Sequence, residues 1–206
     1  MSKKYIFLNP VVCSLYDINY LEHILKEKGF DIVYSNINNI DIVRNKYAEK
    51  CSNSCKCIID SRCPKIKKYI NTEYFENADI NPILIETALE IHSNLNNKGN
   101  SILYITTPCS YLRDLGNELK LENTIFITWK DFIKENNIIL DSVKKKELNE
   151  SPIPLGFFDS LQNIYKIHSV SGEDDVAEIL KNKMYKDNDL IEALYCRNGC
   201  HNGDGV

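Results

Sequence analysis

Among the 206 residues, the eight cysteines are the side chains best placed to do chemistry. Near the end of the chain, Cys196-Arg-Asn-Gly-Cys200 can present two thiols from one turn, with Gly199 easing a tight backbone and Gly203 and Gly205 following. Farther back, Cys63 precedes Pro64 and Cys109 follows Pro108. A 4Fe-4S cubane needs four soft, anionic ligands in a rough tetrahedron, and Cys63 and Cys109 can close the two corners that Cys196 and Cys200 leave. Zinc competes for the same four thiolates, and spacing does not separate the two metals. Cys51-Ser-Asn-Ser-Cys55-Lys-Cys57 adds a second group, which with Cys13 would make four ligands for another cluster. A zinc knot, a redox-active thiol group or plain exposed cysteines account for that group as well, and Cys13 alone also suits an apolar core. His201, directly after Cys200, could donate a hydrogen bond to a cluster sulfur or relay a proton, although an exposed loop histidine is the simpler reading.

These thiols need a scaffold that gathers residues remote in sequence. Short β-type runs alternate with amphipathic stretches along the chain, the pattern of a mostly parallel α/β sheet flanked by helices. Strands are expected at 5–8, 31–34, 57–60, 101–106, 123–127, 165–170 and 190–194. Helices are expected at 20–28, 40–50, 82–96, 129–136 and 174–184, with Gly29 and Gly99 as stops and Pro82 near a first turn. The segment 141–159, with Pro152, Pro154 and Gly156, reads as a connection inside a single domain made of lobes 1–140 and 141–206. Cys13, Cys63, Cys109, Cys196 and Cys200 all fall just after an expected strand, where the loops of an open α/β sheet meet on the ligand-binding rim.

Composition narrows the function further. A net charge of −4 lacks the basic surplus that nucleic acid requires. The run Tyr5 to Leu8 is too short for a secretion signal, and no apolar stretch approaches the ~20 residues of a membrane span, so a cytoplasmic protein is expected. A reducing compartment disfavours disulfides and turns clustered thiols toward metal or redox chemistry. No glycine-rich phosphate loop precedes a helix, and His23, His92 and His168 have no partner pattern.

The ending Leu190-Ile-Glu-Ala-Leu-Tyr-Cys196-Arg-Asn-Gly-Cys200-His-Asn-Gly-Asp-Gly205 resembles the last signature of the catalytic domain of iron-only hydrogenases. Ile58-Ile-Asp-Ser-Arg-Cys63-Pro64, followed by an expected helix and Asn81-Pro82, resembles the first signature. Ser101-Ile-Leu-Tyr-Ile-Thr-Thr-Pro108-Cys109 and Phe126-Ile-Thr-Trp-Lys-Asp-Phe132 resemble the strand leading to a Pro-Cys and the stretch after it. The order is kept from about Lys4 to the end. The resemblance implies an iron-only-hydrogenase-like fold, with parallel sheets in two small packed lobes and one 4Fe-4S cluster between them on Cys63, Cys109, Cys196 and Cys200. In active members the residue matching Cys200 also bridges to a two-iron subsite.

Departures from the family pattern change the expected activity. Arg62 stands where a proton-shuttling cysteine is common, Leu112 where a lysine holds the subsite, and Ile83 where a methionine is usual. A guanidinium stays protonated and relays nothing at neutral pH. The expectation is a cubane without the subsite, in an anaerobe's electron-transfer or redox-sensing protein that meets a ferredoxin or a larger subunit, and no nucleic acid or membrane. The alternatives are an enzyme that reduces a small anionic substrate held by Arg62, with Arg62 and His201 as candidate catalytic groups, a residual hydrogenase, or a structural zinc protein.

Overall fold

The computed structural model describes residues 2–69, 75–95, 101–141, 144–181 and 185–206. It is an α/β protein with two four-stranded sheets, and every strand pair in both is parallel. Contacts divide the chain into two units: residues 1–37, 84–152 and 203–206 form the first, and residues 38–83 and 153–202 form the second. The chain therefore passes from one unit to the other repeatedly, unlike a division into 1–140 and 141–206.

The first unit holds strands β1 (Lys3–Phe7), β2 (Phe30–Ile32), β5 (Ser101–Thr107) and β6 (Thr124–Thr128), in the order β2-β1-β5-β6. Helices α1 (Pro10–Leu15), α2 (Ile18–Glu27), α4 (Ile83–Leu95), α5 (Ser110–Glu118) and α6 (Trp129–Glu135) accompany them, α4 opening on the last residue of the second unit. Alternation along β5 fixes its two faces. Leu103 and Ile105 join Ile85, Ala88, Ile91 and Phe126 in one core. Tyr104 points the other way, its ring 5.3 Å from that of Phe30 and 5.8 Å from that of Phe132. The sequence Asn9-Pro10 starts α1 for local reasons: the Asn9 carboxamide accepts from the amides of Val11 and Val12, and Pro10 has no amide to leave unpaired.

The second unit holds α3 (Asn39–Asn53), β3 (Cys57–Ile59), β4 (Phe75–Asn77), β7 (Ile167–Ser171), α7 (Glu173–Lys181) and β8 (Leu190–Leu194), in the sheet order β4-β3-β8-β7. Ile58 and Leu190 face Val43 and Tyr47 of α3, whereas Ile59 and Ile191 face Val176 and Ile179 of α7. All five residues of β8 are buried, as a strand covered on both sides requires.

The expected strands all form within two residues of their expected bounds, and so do the starts of the expected helices. The expected helix ends at Asn96 and Met184, and the stop at Gly99, lie outside the described residues. Unforeseen are α1, α5 and the short β4, whereas the helix that the resemblance places after Cys63-Pro64 forms as a 3-10 helix over Pro64–Tyr69. In α5 a glycine that argues against a helix is required by packing, because a Cβ on Gly116 would lie 2.2 Å from the Phe126 ring. Gly116→Ala is expected to cost about 1–3 kcal/mol, the usual penalty of overpacking a filled core, in urea denaturation. An unchanged midpoint would contradict this packing.

Candidate functional site

In a parallel sheet whose strand order reverses, the loops on either side of the reversal diverge and leave a crevice at the carboxyl ends. In the first unit, with the order β2-β1-β5-β6, that point lies between β1 and β5; in the second, with the order β4-β3-β8-β7, the central strands β3 and β8 end side by side. The loop after β5 carries Cys109, the loop after β3 carries Cys63, and the loop after β8 carries Cys196 and Cys200. The loops after the central strands of each sheet thus hold at least one cysteine of the expected ligand set.

Within the second unit, Cys63 and the Cys196 loop are neighbours. Burial pushes the Cys63 thiol pKa up, and the backbone amides of Tyr195 and Lys65 oppose that shift by hydrogen-bonding to its sulfur, with a further contribution from the amide of Ile66. The sulfur of Cys63 therefore lies against the backbone of the residue that precedes Cys196. Beyond β8 the chain turns through Asn198, at φ 60°, and Gly199, at φ 107°, the second a conformation in which glycine is strongly preferred. The amide of Gly199 donates back to the carbonyl of Cys196, and the amide of Asn198 donates to the Ser171 hydroxyl at 3.1 Å. Lys65 stands over the Tyr195 ring, 3.5 Å from its centroid.

In the first unit Cys109 occupies the N-cap position of α5 and supplies no side-chain cap. Asp204 does so instead, accepting from the Ser110 amide at 2.9 Å and from the Ser110 hydroxyl at 2.5 Å. Gly205 then donates to the carbonyl of Pro108 and accepts from the amide of Lys130. A Cβ on Gly205 would lie 3.0 Å from the Cys109 nitrogen, so the tail and the Pro-Cys turn are packed backbone to backbone.

Arg62 is not available to a substrate in the way the sequence suggested. Its side chain is 5 % exposed, and its Nη2 lies 2.7 Å from Asp60 and 2.8 Å from Glu192, both fully buried. Its Nε also donates to Asp60, and its guanidinium lies over the Phe157 ring at 3.8 Å and the Phe158 ring at 4.6 Å. Burial disfavours the charge, but Asp60 and Glu192 outweigh it and raise the pKa further. Each carboxylate is satisfied from other elements too. Asp60 accepts from the Tyr47 hydroxyl of α3, and Glu192 accepts from the amides of Gly156 and Phe157 and from Ser169 of β7.

This charged core was legible only in part. Asp60 and Glu192 follow Ile58 and Leu190 by two residues, so strand periodicity puts both carboxylates on the α3 face. The missing information was the register of β3 on β8, which pairs Ile58 with Leu190 and so brings the two acids level.

The second set of thiols is divided between the two units, with Cys13 in the first and Cys51, Cys55 and Cys57 in the second. Cys51 packs into the α3 core, and Cys57 packs against the opposite face of the same sheet. Burial, followed by Asp189, pushes Cys51 up to about 11 and Cys57 up to about 12, so both are protonated at neutral pH. Cys55 is exposed, and Cys13, which belongs to the first unit, donates to the Leu8 carbonyl at 3.7 Å. Among the described residues, no group of three or more His, Cys, Asp or Glu side chains is arranged to hold a single metal ion. A cubane presents each thiolate with its own iron corner and so tolerates wider sulfur spacing than one ion does.

Two buried side-chain donors among the described residues have no hydrogen-bond partner: Trp129 Nε1, directly after β6, and His201 Nδ1, directly after Cys200. No described helix is long and apolar enough to cross a membrane. Comparison with protein-family models, with curated proteins and with solved structures finds no significant match for this chain.

Two outcomes follow. Arg62→Ala leaves two carboxylates buried without their cation and is expected to lower stability by about 3–5 kcal/mol in urea denaturation; a near-neutral change would contradict the charged core. Brief alkylation of the metal-free chain at pH ~8 is expected to label Cys55 well before Cys51 and Cys57, since the thiolate is the nucleophile. Equal labelling, read by peptide mass spectrometry, would contradict the buried positions.

Proposed function

We propose that this chain binds one 4Fe-4S cluster through Cys63, Cys109, Cys196 and Cys200 and serves in cytoplasmic electron transfer or redox sensing, without turning over dihydrogen. The observation that carries the reading is that these cysteines follow the carboxyl ends of central strands, β5 in one parallel sheet and β3 and β8 in the other. A bound cluster supplies a one-electron couple whose potential depends on thiolate ligation, nearby hydrogen bonds and solvent access.

The residues of the chain have distinct parts in this reading. The amides of Tyr195, Lys65 and Ile66 stabilise an anionic sulfur on Cys63 against the cost of burial. The Asp60, Arg62 and Glu192 core stiffens the root of the Cys63 loop. The same core argues against the enzyme reading, because the cation meant for an anionic substrate is committed to two internal carboxylates. Leu112, at 7 % exposure, offers no cation in place of a lysine for a two-iron subsite. A ferredoxin or a larger redox subunit is the partner this activity calls for.

Anaerobic reconstitution with iron and sulfide is expected to load about four of each per chain, with a cysteine-to-serine change at 63, 109, 196 or 200 depleting or destabilising the cluster. The Cys51, Cys55, Cys57 and Cys13 serine variants should keep the full load. Iron near twice that content would place a second cluster on those four residues. Stoichiometric zinc without sulfide would replace the proposal with a structural metal site.

A further inference from the structure

His201 presents a polar atom that the surrounding protein does not satisfy. Its Nδ1 is buried and has no hydrogen-bond partner, although the histidine immediately follows Cys200. Its Nε2 lies 3.2 Å from the Asn202 Nδ2 atom. The same Asn202 nitrogen donates to the Arg197 carbonyl at 2.9 Å, and a carbonyl can only accept. Asn202 is thereby held with its NH2 group toward His201, and in the neutral ring Nε2 accepts. The ring proton then resides on Nδ1. A buried N–H without an acceptor costs about 1–3 kcal/mol. Two local bonds fix this tautomer, so the arrangement selects a donor at the very atom that lacks an acceptor.

Resting on the cluster reading above, we infer that His201 Nδ1–H donates a hydrogen bond to a sulfur of the cluster held by Cys200 and raises its reduction potential, with Asn202 as the residue that sets the tautomer. The ligand chemistry fits: cluster sulfurs carry negative charge and accept N–H hydrogen bonds, and the charge grows on reduction. A donor aimed at them stabilises the reduced form more than the oxidised form. The hairpin that carries Cys196 and Cys200 also carries both parts of the device, since Arg197 supplies the carbonyl that orients Asn202.

The test is a redox titration, followed by electron paramagnetic resonance, of the reconstituted full chain and two variants. His201→Phe keeps a planar ring and its bulk but has no donor, and its midpoint potential is expected to fall below that of the parent at equal iron and sulfide content. Asn202→Ala keeps the histidine and releases the tautomer, and a smaller fall in the same direction is expected. In the reduced parent, a strongly coupled exchangeable proton should appear in electron-nuclear double resonance and vanish in His201→Phe. Unchanged potentials and an unchanged proton coupling in cluster-loaded variants would overturn the role of His201 while leaving the cluster intact. A parent chain that takes up no cluster would instead overturn the reading on which this inference rests. If His201→Phe fails to load, Asn202→Ala decides: a lowered potential supports the inference, and an unchanged one overturns it.

Discussion

Parallel strands cannot be joined by tight hairpins, and that constraint governs how this molecule places its reactive groups. Each strand must be followed by a crossover, so the loops at the carboxyl ends of neighbouring strands emerge on the same rim. The two central strands are β1 and β5 in one sheet and β3 and β8 in the other. Residues more than a hundred positions apart meet in this way, as the Cys63 sulfur and the backbone amide of Tyr195, the residue before Cys196, do.

A charged core secures the second of these rims. Two carboxylates and one guanidinium in a dry interior would be costly if any lone pair or proton went unused. Here strands, helix α3, a loop carrying paired phenylalanines and β7 all contribute partners, so Arg62 acts as an internal strut. The residue next to Cys63 in the chain therefore cannot swing outward to take part in substrate chemistry without stranding Asp60 and Glu192. A position that the alternative enzyme reading assigns to substrate binding is here held by two internal carboxylates.

The elements with strong apolar runs were readable from the amino-acid sequence alone. Ser101–Thr107, with its run Ile102 to Ile105, and Leu190–Leu194, polar only at Glu192, carry apolar stretches that mark them as strands. Elements whose formation depends on tertiary contacts were not readable: α5 contains Gly116, whose value lies in the close approach of Phe126. The cysteines at strand ends were legible as a pattern, since position after a strand is a local property. The fate of Arg62 was not, because it depends on the register between β3 and β8. Cys57 illustrates the same limit. Its spacing from Cys51 and Cys55 suggests shared ligation, but strand alternation turns it into the α7 core.

The central claim concerns an inorganic core shared by four sulfurs, and X-ray absorption at the metal edge of the anaerobically isolated chain addresses it most directly. The account predicts iron ringed by sulfur, with a further shell of neighbouring iron at short range. Zinc ringed by sulfur with no metal neighbour, or iron surrounded by oxygen and nitrogen, would contradict it.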